Sequence, residues 1–410
     1  MEKVSLLVLS ESEPKEEFLE AINENADFIH EVIFSGEESD VELDCPVKFL
    51  GLKGEPKGKI RNALVESANS ENLLFVSSST ILEEDAIEEL LEERESTGAD
   101  IVFPNIIFHV GGKEEVKNFE QPFEKELNLV ASLSIEDYVP EWGILTSKSV
   151  VEKGKGFDSS LGDYDFYDFL YRNIRWLKVR LAELTYVTQK IEDSFIDTSW
   201  RSYVLRKRVL QDFDWEKELF PFLSWHEKPE AAEATALTII GNKLSNYYDF
   251  FNATDFYRRA LLKFHNQESL RCLINALKTM GLFEEAKELL SPEQGVSEET
   301  ISSEKQLIEN IESIIKELEK AVEDGKVYEV ITAIQDVVSV YEGAPIYNIL
   351  GVLSWIQKKE EEAYRFFFKA VTINPINQDY LFNLASVAKR LKREEEVKKL
   401  IQILVGDLNL

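Results

Sequence analysis

Apolar residues in the first half of the chain fall into short unbroken runs, and the stretches between them carry apolar positions three or four residues apart. The runs predict strands at Val4–Leu9 (VSLLVL), Glu31–Phe34, Val47–Leu52, Leu73–Val76 and Ile101–Phe108; a short, β-branched run bounded by polar residues suits a buried strand. The periodic stretches predict helices over Lys15–Asn25, Lys59–Ala68 and Glu84–Glu95. Strand and helix in alternation imply an α/β domain with a mainly parallel sheet and helices on both faces. Ligands of such sheets sit beyond the carboxyl ends of the strands, so the residues just after each strand are where chemistry is expected.

From about Ala231 the strand-like runs stop and amphipathic helices repeat. Leu237, Ile240 and Ala253 recur 33 residues later as Leu270, Leu273 and Ala286. The unit IYNILGVLSWIQKKEEEAYRFFFKAVTINP places Gly351, Ala363, Phe367 and Ala370 where a shift of 34 finds Ala385, Val397, Ile401 and Leu404. Five units fit, and their period and small-residue positions resemble the tetratricopeptide repeat, whose helix pairs stack into a right-handed superhelix with a concave binding face. Gly351 and Ala363 are expected to face each other within one hairpin, and the plainer alternative is a generic helical bundle. The expected domains are residues 1–187, a helical bridge at 188–230, and an all-α tetratricopeptide solenoid at 231–410.

Composition narrows the function. The 410 residues hold 46 Lys plus Arg against 77 Asp plus Glu, a net charge of −31, which repels phosphate backbones and anionic membranes, so no nucleic-acid partner is expected. Cys45 and Cys272 make neither a disulfide framework nor a thiolate cluster, and the four histidines have no paired-ligand spacing. The first apolar run is too short to span a membrane and lacks a cleavage site. A cytoplasmic protein without a membrane span is the expectation.

Two stretches carry a family resemblance. KGEPKGKIRNALVESANSENLLFVSSSTILEEDAIEELLEE resembles the central part of family 2 glycosyltransferases, and EWGILTSKSVVEKGKGFDSSLGDYDFYDFLYRN resembles their acceptor-side segment with its "GFD" turn and acidic pair. The resemblance covers about Lys3 to Val187 and implies a GT-A-like fold that binds a nucleotide-sugar donor. It also implies an acidic metal-binding turn after Leu73–Val76, where this chain has Ser77, Ser78 and Ser79. Neutral hydroxyls are poor ligands for a hard dication, so no metal ligand is assigned and a divalent metal is in doubt. Three more features depart from the family. After the second strand come Ser35, Gly36, Glu37 and Glu38; the first strand ends in Ser10-Glu11-Ser12; and TYVTQKIEDS lacks the late histidine.

On the donor side the resemblance leaves Ser77 and Ser79, with Lys57, Lys59 and Arg61 as the cations that could offset a diphosphate leaving group. A solvated first helical turn is the simpler account of those three charges. On the acceptor side the acidic pair of Gly162-Asp163-Tyr164-Asp165 would supply the general base, with Asp163 the first choice and Asp165 beside it. An acid at a helix start also interacts with the free N–H groups there, with no catalysis required. Trp142 and Gly143 would floor the acceptor cleft, although a core tryptophan is the commoner use of an indole. Glu83, Glu84 and Asp85 read as the acids of a helix N-terminus, and Trp200–Phe222, with its interleaved aromatics and Arg206, Lys207 and Arg208, reads as the bridge.

The function these readings favour is transfer of a sugar from a nucleotide-sugar donor to a protein or cell-surface glycan acceptor recruited on the concave face of the repeats. The competing reading is an inactive pseudo-glycosyltransferase whose repeats act as a protein-binding scaffold, with Ser77–Ser79 as the discriminating feature.

Overall fold

The computed structural model describes residues 2–10, 13–110, 113–118, 141–161, 164–191 and 199–406. It divides into two compact units, one formed by Met1–Ile196 with Val204–Phe222, the other by Asp197–Tyr203 with Leu223–Leu410.

The first unit is built on one sheet. Its strands are β1 (Val4–Leu9), β2 (Ile29–Phe34), β3 (Val47–Phe49), β4 (Asn72–Ser77), β5 (Thr80–Leu82), β6 (Ile101–Val110), β7 (Lys113–Lys117), β8 (Ile144–Ser147) and β9 (Val179–Ile191). They lie in the order β3-β2-β1-β4-β8-β6-β9-β5, with β7 against β6. Every residue of β1 and of β4 is buried, as a strand with neighbours on both edges and cover on both faces must be. The β3-β2-β1-β4 block is parallel, which the alternation of runs and helices predicts. The other half is not: β8 runs antiparallel to β4 and β6, β7 to β6 and β5 to β9, and only β6 and β9 are parallel there. The sheet is therefore mixed rather than mainly parallel; the reversed strands β5 (TIL), β7 (KEEVK) and β8 (ILTS) are too short or too polar to show in the apolar pattern.

Helices α1 (Glu16–Glu24), α2 (Lys57–Ser67), α3 (Ala86–Thr97), α4 (Lys148–Lys153) and α5 (Asp165–Asn173) pack in this unit. Asp85, one of the acids assigned to a helix start, is the residue before α3 and takes a left-handed φ of 66°. The β6–β9 register breaks between Pro104 and Asn105; proline has no N–H for the ladder, and Asn105 Nδ2 donates instead to Glu183 O at 2.9 Å.

The second unit is helical. Consecutive pairs are α6 (Pro229–Asn246) with α7 (Phe250–Lys263), α8 (Gln267–Met280) with α9 (Phe283–Leu289), α10 (Glu298–Glu323) with α11 (Val327–Val340), α12 (Ala344–Ile356) with α13 (Glu360–Ile373), and α14 (Gln378–Leu391) with α15 (Glu394–Val405). Ala344 and Gln378 open helices 34 residues apart, as do Glu360 and Glu394. In an open stack each pair touches only its neighbours. Here the second pair meets the fourth: a Cβ on Gly281 would lie 2.7 Å from Pro345 Cγ, and Asn374 Nδ2 donates to Met280 O at 2.9 Å. The first pair meets the fourth and fifth, with Lys369 Nζ 4.4 Å from the Tyr248 ring and 4.3 Å from the Tyr347 ring, and Asn252 Nδ2 donating to Leu404 O at 2.8 Å. These contacts link pairs that are not consecutive along the chain. The third pair departs from the period, since α10 runs for 26 residues against 14 in α8, α13 and α14. The neighbour that requires a glycine at 351 is Phe367, whose ring would lie 2.5 Å from an added Cβ.

Among the described residues no helix is long and apolar enough to cross a membrane.

Candidate functional site

The carboxyl ends of β1, β2 and β4 form one hydroxyl-rich rim. Ser10 N–H donates to Ser35 Oγ at 2.9 Å, Gly36 N–H to Ser10 Oγ at 3.2 Å, and Ser78 N–H to Leu9 O at 3.1 Å. A side chain at Gly36 would press on Ser10 Cβ at 3.0 Å, so glycine keeps the two strand ends together.

Ser77 closes β4 with no exposed surface. Its N–H donates to Thr80 Oγ1 at 3.0 Å, Gln189 Nε2 donates to its hydroxyl at 3.1 Å, and Thr80 Oγ1 donates to Gln189 Oε1 at 2.6 Å. This is a neutral, internally satisfied network. Gln189 lies in the segment that carries no histidine, and the sequence reading passed over it because glutamine at a strand end has no motif. Ser79 is half-buried; its N–H donates to Ser77 Oγ at 3.2 Å and its carbonyl accepts from Lys190 N–H at 3.0 Å. The Lys190 ammonium pairs with Glu17.

A second cluster, around α2, gathers residues expected on the donor side, Lys57 and Arg61, with Trp142, Gly143 and Asp165 expected on the acceptor side. Lys57 and Arg61 are four residues apart and share a helix face, which turns toward Trp142: the Lys57 ammonium stands 5.4 Å and the Arg61 guanidinium 5.6 Å from its ring centroid. Lys59 turns the other way and pairs with Glu55 at 2.9 Å, exposed. Close approach of α2 is licensed by Gly58, where a Cβ would meet Asp158 O at 2.8 Å. Asn62 locks the "GFD" turn through both ends of its amide, donating to Phe157 O at 2.8 Å and accepting from Phe157 N–H at 2.9 Å.

Arg61 has no solvent exposure, and neither has the side chain of Asp165, to which its Nη1 is bonded; Nη2 reaches Glu141 Oε2 at 2.9 Å. Burial by itself would lower the pKa of Arg61, but Asp165 and then Glu141 hold it well above the ordinary guanidinium range. Burial pushes the Asp165 carboxyl up, against the pull of Arg61. Arg61 Nε and Asp165 Oδ2 are buried without a hydrogen-bond partner. Arg61 is thus enclosed among carboxylates and the rings of Trp142, Phe157 and Phe166, where a diphosphate has no access. Asp163, the first choice of base, lies outside the described residues.

Asp168 is fully buried and shared by Arg172 Nε at 2.6 Å and Arg208 Nε at 3.6 Å; Arg208 also reaches Asp158 at 3.2 Å. Gly143 joins the two clusters. It has φ +72°, its N–H donates to Phe75 O of β4 at 2.8 Å, and a Cβ there would strike Pro104 Cγ at 2.7 Å. Two residues past Phe75 the same strand ends in Ser77. The structure therefore brings Lys57, Arg61, Trp142, Gly143 and Asp165 into one cluster, with Ser77 and Ser79 on the adjoining rim and Lys59 outside.

The class this defines is a mixed α/β sheet domain followed by helices. No family model matches the chain, and no curated protein matches it. Among solved structures, S. aureus TarS 1-349 is similar at a TM-score of 0.43 and 13% identity, over 70% of this chain and 88% of that one. The same fragment in complex with UDP gives 0.43, and in complex with UDP-GlcNAc 0.42, at the same identity and coverage. At TM-scores below 0.5 these likenesses bear no weight on fold or function.

Proposed function

We propose that the first unit is a glycosyltransferase-like domain that binds a nucleotide-sugar at the carboxyl rim of β1, β2 and β4 without a metal and presents its sugar toward Trp142. The observation that carries this reading is the parallel β3-β2-β1-β4 block with its hydroxyl-rich carboxyl rim, beside which Gly143 holds the segment of Trp142 through Phe75 O. Such a rim is where ligands of parallel sheets bind. The Ser77–Thr80–Gln189 network supports the metal-free form, because it fills the end of β4 with neutral groups that already satisfy one another. The helical unit, on this proposal, is a tetratricopeptide-like array that recruits a protein or glycan acceptor; its 34-residue helix spacing supports that.

A second reading has its own observation. Arg61 is occupied by Asp165 and Glu141, as a fold-stabilising pair in a non-catalytic scaffold would be. Thermal unfolding of the full chain with UDP, UDP-GlcNAc and a panel of GDP-, dTDP- and ADP-sugars, with and without manganese, separates the two. A ligand at a hundredfold excess over its Kd stabilises by about 2.7 kcal/mol, easily seen as a rise in Tm. The enzyme reading expects a rise with one nucleotide class, independent of manganese. Unchanged Tm across the panel favours the scaffold.

A further inference from the structure

We propose that Glu141 is the proton-accepting carboxylate of this site and that Arg61 is the positioning residue that aims it; this rests on the glycosyltransferase reading above. Arg61 carries two carboxylates of opposite character. The Asp165 side chain has no exposed surface, whereas Glu141 is 32% exposed on the far side of the same guanidinium. A general base must reach the proton it removes, either directly or through one water. Asp165 cannot do so from full burial; Glu141 can.

Placement supports the assignment. Glu141 immediately precedes Trp142, whose indole is flanked by Lys57 and Arg61, and Gly143 ties that segment to β4 two residues before Ser77. Among the described residues Glu141 is bonded to Arg61 of α2, and the Asp165 carboxylate of α5 lies on that same guanidinium. Arg61 is held in turn by Asp165 and by the aromatic rings of Phe157 and Phe166, so its second fork is fixed in direction. A planar fork that bridges two carboxylates through its two Nη atoms is what guanidinium supplies and ammonium does not.

In the step itself the acceptor hydroxyl oxygen forms the bond to the anomeric carbon and its proton passes to Glu141. The bond from that carbon to the diphosphate oxygen breaks, and the nucleoside diphosphate leaves with the electron pair. With water as acceptor the products are free sugar and nucleoside diphosphate.

The test uses the full chain and the nucleotide-sugar that raises Tm most in the panel. Nucleotide affinity is measured by calorimetry and nucleoside diphosphate release is followed from pH 5 to 9, in wild type, Glu141→Gln, Arg61→Lys and Asp165→Asn. The expected result is Glu141→Gln with wild-type nucleotide affinity, release at least 100-fold slower and no acid limb in its pH profile. Arg61→Lys should keep affinity, lose about tenfold in kcat and shift the limb without abolishing it. Wild-type release from Glu141→Gln, or an acid limb retained there and lost only in Asp165→Asn, overturns the assignment while leaving the glycosyltransferase reading intact. Wild type that neither binds nor releases any nucleotide overturns both.

Discussion

Substituting Asp165 by Asn tests whether the Arg61 cluster is the keystone of the first unit. Both side chains of the Asp165–Arg61 pair are without exposed surface, so the variant leaves a guanidinium in the interior with Glu141 as its remaining carboxylate. Removing one partner of a buried pair costs about 3–5 kcal/mol, since the other charge stays desolvated and unbalanced. Hydrogen exchange on the full chain, read by mass spectrometry over Lys57–Ser67 and Asp165–Asn173, reports this unit separately from the helices. At roughly 1.4 kcal/mol per tenfold, that cost lowers the protection of the slowest amides by on the order of 10²–10⁴. The double variant Arg61→Met/Asp165→Leu should recover most of it, because apolar side chains of similar size often replace a buried ion pair without loss, and Glu141, partly exposed, can turn to water. Protection within tenfold of wild type in Asp165→Asn, or no recovery in the double variant, would refute the reasoning.

Glu31 is a second internal lock: its buried carboxylate accepts from Ser5 Oγ at 2.8 Å, Asn69 N–H at 2.6 Å and Lys48 Nζ at 2.5 Å. Burial alone would raise its pKa from 4.5, but Lys48, Asn69 and Ser5 together hold it lower; the folded state therefore binds this proton less readily than the unfolded one, and the stabilisation is present above pH 4.5 and lost as pH falls through the folded value. Urea titrations should show Glu31→Gln less stable at pH 7 by about 1.5–3 kcal/mol and with a shallower fall below pH 4.5. Gly143→Ala places a Cβ at φ +72° and 2.7 Å from Pro104 Cγ, and should cost about 1–3 kcal/mol in the same titration and weaken any nucleotide-induced rise in Tm. Gly351→Ala, with its Cβ 2.5 Å from the Phe367 ring, should lower the second unit's stability by about 1–3 kcal/mol, measured as faster exchange in Ala344–Ile356 with Lys57–Ser67 unchanged.

How much of this was legible depends on what each element advertises. β1, β2, β4 and β6 are apolar runs, and the pattern finds them within a residue or two. β7 reads KEEVK and β5 is the three residues TIL; neither has a pattern to see, and pairing direction is set by contacts far along the chain. The cation cluster of α2 was readable in principle. Lys57 and Arg61 lie at i and i+4 and Lys59 between them on the other face, which already divides an inward pair from an outward lysine paired to Glu55. What no local signal supplies is the partner: Arg61 finds Asp165 at a separation of 104 residues and Glu141 at 80. Glu141 was missed for that reason. The repeat period announced the helix pairs, but the contacts between non-consecutive pairs, Lys369 between Tyr248 and Tyr347 and Asn252 to Leu404, leave no periodic trace.

The charge of −31 bears directly on which cation would meet a diphosphate. Arg61 is the wrong one on energy alone, since freeing it from Asp165 costs about 3–5 kcal/mol. Lys190 and Lys59 are held by partly exposed pairs, to Glu17 and Glu55, and such pairs are worth about 0–1 kcal/mol. Of the two, Lys190 follows Gln189 and donates its N–H to Ser79 O on the rim itself, so on the proposed reading it is the better placed to exchange its carboxylate, Glu17, for a phosphate. Lys190→Ala is accordingly expected to weaken nucleotide diphosphate binding by about tenfold and Lys59→Ala by less than twofold, with Glu17→Gln strengthening it by releasing the competing carboxylate. Titration of the three variants by calorimetry at low and high salt decides it. Equal losses for Lys190 and Lys59, or a Glu17→Gln variant that binds no better than wild type, would show that the diphosphate is met elsewhere.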